Sequence, residues 1–208
     1  MLLDFGGVLT TPVRTSFEGF ARDEGIEPEA LWGLMRDIAR TDDDPFTLVE
    51  TGAIDQSQFD VRLAALFNDR LGTEIVPDNL KVRLFSRVGP DDAMIGAVRT
   101  AREKGVPTGL ISNSWGGSYG EGGYDRVMFD ELFDVVVVSG EVGLRKPQPE
   151  IYLLACERIG AEPEECVFAD DFEVNALGAT AVGMLGIRHR TAKETIPQLE
   201  GFLGTTLR

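Results

Sequence analysis

The sequence predicts an α/β protein with a doubly wound, Rossmann-like parallel sheet and an inserted all-α segment. After Pro90, helical and strand patterns alternate along the chain, whereas residues 13–88 show helical periodicity and little strand pattern. The chain opens on a short apolar run, Met1-Leu2-Leu3, which ends at Asp4 and is typical of a strand that delivers an acid to a turn. We therefore predict a core of residues 1–12 and 89–208 and a helical insertion at 13–88.

Composition limits the partners. With 208 residues, 43% of them hydrophobic, the chain can bury a full core. A net charge of −15 opposes binding to nucleic acid or to anionic membranes. No apolar run approaches the roughly 18 residues of a membrane span. We expect a cytoplasmic protein that binds small molecules and cations, with Cys156 and Cys166 buried and reduced. The sequence leaves a homodimer open.

The insertion reads as a bundle of short helices. Pro28 suits a first helical turn, and Asp55 is a plausible N-cap for the helix that contains Phe59. The acidic run 41–44 is interpreted as a solvated loop before another helix. The apolar positions that repeat at helical spacing are Phe17, Phe20, Ala21, Leu31, Leu34, Met35, Ile38, Phe59, Leu63, Leu66 and Phe67.

The second part of the chain alternates between helix and strand. Asp91 is expected to cap a helix through Lys104 that ends at Gly105. Val135 to Val138 form an uninterrupted β-branched run, which indicates a strand buried on both faces. The remaining predicted strands span 106–111, 166–169 and 184–187. The remaining predicted helices span 124–132 and 149–159; a further helix follows the strand 166–169 and ends at 181, and a last one lies near 196–203.

Polar residues follow four of the predicted strands, and the carboxyl ends of parallel strands share one edge of a sheet, where ligands bind. Each residue has an ordinary reading as a turn, a helix cap or a surface lysine. Their joint occurrence favours an active site, because carboxylates, a hydroxyl donor and a cation together are what phosphoryl transfer requires. The candidates are Asp4, Ser112-Asn113, Lys146 and Asp170-Asp171.

These residues resemble the motifs of the haloacid dehalogenase-like (HAD) hydrolases, and the resemblance runs from Leu2 to about Leu203. It implies that the segment 13–88 is the mobile cap with which this family closes over substrate. The motifs that carry it are Asp4-Phe5-Gly6-Gly7-Val8, Leu110-Ile111-Ser112-Asn113, Lys146-Pro147, and Phe168-Ala169-Asp170-Asp171 with Asn175 and Gly178-Ala179.

The resemblance implies a Mg²⁺-dependent phosphatase of a small phosphomonoester. Asp4 would attack phosphorus to form an aspartyl phosphate, and Asp4 would also bind the metal ion. The backbone carbonyl of Gly6 and the side chain of Asp170 would be further ligands. Asp171 and Asn175 would contact these ligands without binding the metal ion themselves.

The same resemblance assigns the binding of the phosphoryl group. Ser112 would donate its hydroxyl to the phosphoryl oxygens, and Asn113 its backbone or side-chain amide. Lys146 would neutralise charge near Asp4 and the phosphoryl group.

One position departs from the family pattern. Family phosphatases usually carry a second aspartate, the general acid and base, where this chain has Gly6, and such a group is worth roughly 10² to 10⁴ in rate. Gly6 therefore supports an alternative, a catalytically weak binding or regulatory protein. A metal-independent 2-haloacid dehalogenase is the third alternative, disfavoured by the acidic pair Asp170-Asp171.

Three other features have weaker functional readings. Trp115 is a candidate substrate contact because it follows Ser112 by three residues, and the glycine-rich loop 116–123 is interpreted as a flexible connection. His189 is expected to have a structural or surface role. Nothing in the sequence identifies the substrate.

Overall fold

The computed structural model describes residues 1–38, 44–113 and 126–208, with the side chains of 126–128 left aside. Residues 41–43 of the acidic run, Trp115, the loop 116–123 and the first two residues of the predicted helix 124–132 lie outside this part of the chain. Asp44, the last residue of that run, is buried, which corrects the solvated loop at this residue: its carboxylate accepts from the Phe46 amide at 3.0 Å and caps the next helix. The outcomes below concern the described residues.

The described residues contain a parallel sheet of five strands, and this confirms the predicted fold class. The strand order is β3-β2-β1-β4-β5, with β1 in the centre. The strands are β1 (Leu2–Leu3), β2 (Gly109–Ser112), β3 (Val135–Val138), β4 (Val167–Asp170) and β5 (Leu185–Arg188). The direction of the strand order reverses beside β1, between the carboxyl ends of β1 and β4, which is where such folds bind ligands.

Strand β2 begins three residues later than predicted, for a local reason. The amide of Val106 donates to the carbonyl of Ala101 at 3.0 Å, so it still closes the preceding helix. The hydroxyl of Thr108 donates to the carbonyl of Leu132 at 2.6 Å. Residues 106–108 therefore form a connection, although their composition resembles a strand.

Side chains of the strands alternate between two hydrophobic clusters, one on each face of the sheet. Leu3 and Leu110 belong to one cluster, and Leu2 and Ile111 belong to the other. Helices α6 (Asp92–Glu103), α7 (Arg126–Leu132) and α11 (Ala192–Leu203) cover the first face; α9 (Pro149–Ile159) and α10 (Glu173–Ala181) cover the second. Burial on both faces explains why the inner strands β1, β2 and β4 consist mainly of apolar residues.

The described residues of the segment 13–84 form five helices with a hydrophobic cluster of their own. They are α1 (Val13–Asp23), α2 (Pro28–Ile38), α3 (Pro45–Glu50), α4 (Gln56–Leu71) and α5 (Leu80–Leu84). Helix α4 opens on the expected N-cap: the Asp55 carboxylate accepts from the Gln58 amide at 2.8 Å, and Gln58 accepts in return from the Asp55 amide. We call residues 13–88 the helical block.

The chain leaves and re-enters the core at one place. The amide of Thr11 donates to the carbonyl of Gly89 at 2.7 Å, and the amide of Asp91 donates to the carbonyl of Leu9 at 2.9 Å. The helical block is therefore attached through two adjacent chain segments, directly beyond the turn that follows Asp4.

The minor predictions have clear outcomes in the described residues. Cys156 and Cys166 are buried free thiols, as expected. His189 is buried, and its Nδ1 lies 2.9 Å from Thr195 Oγ1. Burial lowers the pKa of His189, which fits a structural role for a neutral ring. Among the described helices, none is both long and apolar enough to cross a membrane.

Candidate active site

Asp4 lies at the carboxyl end of β1, where its amide donates to the carbonyl of Ala169 on β4 at 2.9 Å. The chain then turns sharply at Gly7, which has φ +76° and donates its amide to Thr10 Oγ1 at 2.8 Å. A Cβ at Gly7 would lie 2.5 Å from Asp171 Oδ2. Only glycine satisfies both the conformation and the close approach, so the turn brings the loop after Asp4 against Asp171.

Lys146 joins two carboxylates of the site. Its Nζ lies 2.6 Å from Asp4 Oδ1 and 2.7 Å from Asp170 Oδ2, and its side chain is 1% exposed. Burial alone would lower the pKa of Lys146, but the charges of Asp170 and Asp4 outweigh burial and raise it. The ammonium group is therefore charged at neutral pH.

Asp170 is fully buried, and both of its oxygens accept hydrogen bonds. Besides Lys146, its donors are the Asn175 side-chain amide, at 3.0 Å to Oδ1 and 3.2 Å to Oδ2, and the Phe172 backbone amide, at 2.9 Å. These donors fix the carboxylate in one orientation. Asp170 thereby holds Lys146 in place.

Asp171 has a different environment from its neighbour. Its Oδ1 is buried and, among the described residues, has no hydrogen-bond partner. Burial first, and then the charges of Asp4 and Asp170, raise the pKa of Asp171 to about 8. Burial likewise raises the pKa of Asp4 to about 7, against the opposing effect of Lys146. Two carboxylates in this state need a further positive charge to ionise fully.

The acidic residues form a cluster that could bind a metal ion. Carboxylate oxygens of Asp4, Asp170 and Asp171 lie within 4.8 Å of one another. An all-oxygen set of this kind suits a small, hard divalent cation such as Mg²⁺. The unpaired buried oxygen of Asp171 supports this fit, because a buried carboxylate oxygen without a donor is costly unless a cation satisfies it.

Ser112 is the last residue of β2, the strand beside β1, and Asn113 follows it. Ser112 is buried at 2% exposure. The side chain of Asn113 brackets the backbone of Lys146: Oδ1 accepts from the Lys146 amide at 2.9 Å, and Nδ2 donates to the Lys146 carbonyl at 3.1 Å. Since its side-chain amide makes these bonds, the backbone amide of Asn113 is the better candidate for the expected donation to a phosphoryl group.

Two residues at this edge were not among the site residues predicted from the sequence. Glu50, at the end of α3 in the helical block, and Arg145, which precedes Lys146, form an ion pair with Glu50 Oε2 2.5 Å from Arg145 Nη2. They are 95 residues apart. The position of Arg145 beside Lys146 was a usable signal, but no local pattern indicates Glu50.

The fold and the site define a class of protein: a doubly wound α/β protein with a carboxylate–lysine cluster at the carboxyl edge of its sheet. A family model for haloacid dehalogenase-like hydrolases matches residues 1–183. The chain therefore belongs to the haloacid dehalogenase-like hydrolase family.

Curated relatives include enzymes of more than one activity. The chain is 33% identical over 138 residues to bifunctional epoxide hydrolase 2 of Rattus norvegicus. The aligned region covers 62% of this chain and 25% of that protein. It is 31% identical over 110 residues to glyceraldehyde 3-phosphate phosphatase of Methanopyrus kandleri. That aligned region covers 52% of this chain and 47% of the relative. The chain thus spans less than half the length of these relatives.

Solved structures share the fold. A predicted HAD-like family hydrolase from Porphyromonas gingivalis has a TM-score of 0.67 and 20% identity over 95% of each chain. A HAD family enzyme from Bacteroides thetaiotaomicron, solved as a magnesium complex, has a TM-score of 0.62 and 21% identity over 95% of this chain and 96% of that one.

Replacement of Lys146 should show how much the cluster depends on its cation. Lys146→Met keeps an unbranched side chain, one atom shorter, but leaves buried carboxylates without their cation, so the free energy of unfolding should fall by about 3–5 kcal/mol at pH 8. The loss should be smaller at pH 5, because the pKa of Asp4 lies near 7 and its protonation then removes one charge. Urea unfolding at both pH values measures this.

The matched control is Arg188→Met, which breaks the exposed pair between Arg188 and Glu173. That change should cost less than about 1 kcal/mol at either pH. An equal loss in the two variants would contradict the structural role assigned to Lys146.

Proposed function

We propose that this protein is a Mg²⁺-dependent phosphatase that acts on a small phosphomonoester through an aspartyl phosphate on Asp4. One observation carries the proposal: the Asp4 carboxylate lies at the switch point of the sheet, bonded to a buried ammonium and in one cluster with the carboxylates of Asp170 and Asp171. The similarity to glyceraldehyde 3-phosphate phosphatase of Methanopyrus kandleri supports it.

The chemistry follows from the side chains. A carboxylate oxygen of Asp4 attacks phosphorus, the ester P–O bond breaks, and the alcohol leaves with a proton from solvent. Water then attacks the phosphorus of the aspartyl phosphate, releasing inorganic phosphate and the Asp4 carboxylate. Lys146 offsets the negative charge of substrate and nucleophile, and the Ser112 hydroxyl and the Asn113 backbone amide donate to the phosphoryl oxygens.

The metal ligands are better assigned to Asp4, Asp171 and the backbone carbonyl of Gly6. The sequence-based assignment gave Asp170 the role of ligand and Asp171 a supporting one, and the hydrogen bonds favour the reverse. Asp170 already accepts from Lys146 and Asn175, whereas Asp171 presents a bare oxygen. When bound, Mg²⁺ would supply positive charge to the phosphoryl oxygens.

The helical block would act as the cap. It connects to the core just beyond Asp4, and it contacts the catalytic edge through Glu50. A substrate bound at Asp4 would then be enclosed between the two. Exclusion of water strengthens each electrostatic interaction at the site.

The first prediction concerns the metal ion. Mg²⁺ at about a hundredfold its Kd should raise the Tm of the wild-type protein by roughly 5–10 °C. The increase should be smaller at pH 5 than at pH 8. The raised pKa of Asp4 (about 7) and of Asp171 (about 8) means that both bind protons at pH 5, and Mg²⁺ must displace them.

Differential scanning fluorimetry with and without Mg²⁺ measures this, and Asp171→Asn should abolish the increase. Glu173→Gln, which changes an exposed carboxylate two residues away, is the control and should retain it. A full increase in Asp171→Asn would exclude Asp171 as a ligand.

The second prediction tests the activity. In a Mg²⁺-dependent panel of phosphomonoesters, the wild-type protein should hydrolyse at least one compound, and Asp4→Asn should reduce phosphate release to background because the nucleophile is lost. Chelation of Mg²⁺ should have the same effect. Activity that survives Asp4→Asn would contradict the mechanism.

The third prediction concerns the missing acid. A Cβ at Gly6 would meet only Val13 Cγ2, at 3.5 Å among the described residues, so a side chain fits there. Gly6→Asp should raise kcat on alkyl phosphates at least about tenfold, a part of the roughly 10² to 10⁴ that a well-positioned general acid provides. Aryl phosphates, whose leaving groups need little protonation, should gain little.

Gly6→Asn is the matched control. Its side chain has the same shape as that of aspartate, but an amide cannot act as the general acid that protonates the leaving group. An equal gain in both variants, or no gain in Gly6→Asp, would show that the missing acid does not limit turnover.

Gly6 also favours a second candidate, a binding or regulatory protein with weak chemistry. An inactive wild-type protein in the phosphomonoester panel, together with stable phosphorylation of Asp4 by a small phosphodonor, would support this function. Rapid turnover in the panel would exclude it.

A further inference from the structure

The ion pair between Glu50 and Arg145 joins the helical block to the catalytic edge. The side chain of Glu50, the last residue of the short helix α3, is only 6% exposed. A buried carboxylate is costly unless its partners are well arranged.

Two of the contacts of Glu50 are made with residues beside the catalytic side chains. Glu50 Oε2 accepts from Arg145 Nε at 2.8 Å and from Asn113 Nδ2 at 3.2 Å. Arg145 Nη1 also donates to Thr47 Oγ1, at 3.0 Å, one turn earlier in α3. Asn113 directly follows Ser112, and Arg145 directly precedes Lys146.

The contact with Asn113 fixes the orientation of an amide. A carboxylate only accepts hydrogen bonds, so Glu50 requires the NH₂ group of Asn113 to point toward it. The Asn113 Oδ1 atom then faces the Lys146 amide, from which it accepts at 2.9 Å. Glu50 thus acts on the Lys146 backbone through Asn113, and on the same loop through Arg145.

The backbone agrees with a close fit at this junction. Gly52 has φ +74°, and a Cβ there would lie 3.2 Å from the carbonyl oxygen of Gly140 in α8 (Ser139–Val142). Helix α3 and the turn after it therefore pack directly on the core segment that leads to Lys146.

We propose that Glu50 is a positioning residue for phosphoryl transfer, by which docking of the helical block aligns Asn113 and Lys146. This inference rests on the proposed phosphatase function. The site is complete only while Glu50 is seated, so a substrate enclosed by the helical block meets an aligned Lys146. Misplacement of a catalytic group by about 1 Å can cost up to 10² in rate.

The test compares two Glu→Gln substitutions in the helical block. Glu50→Gln removes the charge and one acceptor at the junction. Glu24→Gln makes the same change at an ion pair with Arg83 that lies wholly within the helical block. Glu50→Gln should lower kcat about tenfold with a smaller change in KM, and Glu24→Gln should lower only the Tm.

Hydrogen exchange supplies a measurement that needs no turnover. In Glu50→Gln, the peptide that contains the Lys146 amide should exchange faster, because Asn113 no longer holds that amide; in Glu24→Gln it should exchange as in the wild type. Glu50→Gln should also add little to the loss in Asn113→Ala, since the two act on the same loop.

The outcomes separate the two proposals. If Glu50→Gln matches Glu24→Gln in both kcat and exchange, Glu50 is only a stabilising contact and the inference is wrong. If the wild-type protein hydrolyses no phosphomonoester, the proposed function fails. The exchange comparison then still decides whether Glu50 holds the Lys146 loop.

Discussion

The site depends on one buried ammonium group. Lys146 Nζ lies between Asp4 and Asp170 at 2.6 and 2.7 Å, nearly inaccessible to water. Without that charge, three carboxylates gathered at one sheet edge would repel one another and any anionic substrate. Much of the surrounding hydrogen bonding serves to keep Lys146 where it is: Asn113 brackets its backbone, and Asn175 orients the carboxylate of Asp170.

Because Lys146 pairs with Asp170, the two neighbouring acidic residues Asp170 and Asp171 have different environments. Asp170, saturated with donors, is the internal partner of Lys146, whereas Asp171 keeps a buried oxygen that has no hydrogen-bond partner in the described part of the chain. The position of Asp171 also constrains the backbone of the loop after Asp4. Gly7 is required where the loop after Asp4 approaches Asp171, whereas Gly6 has room for a side chain. Gly6 is therefore a chemical departure from the usual pair of carboxylates, and packing does not demand it.

Much of this could be predicted from the sequence, since it depends on local patterns. The alternation after Pro90 predicted the parallel sheet, and the polar residues after the strands predicted the candidate site. The sequence could not tell which carboxylate of the pair Asp170-Asp171 faces Lys146. Asp170 is the last residue of β4 and Asp171 lies just beyond it, so the alternation of side chains along the strand does not fix the direction of Asp171. The pairing of Glu50 with Arg145, 95 residues away, depends on how the helical block docks on the core, and no local pattern encodes it.

The central claim is that Asp4 is the nucleophile, held ready by Lys146. The most direct measurement is to quench the protein in acid during turnover of a phosphomonoester and to locate any bound phosphoryl group by mass spectrometry of the peptides. The account predicts a phosphoryl group on Asp4, absent from Asp4→Asn. A turning-over protein with the phosphoryl group on another residue, or with none on any trapped peptide, would contradict it.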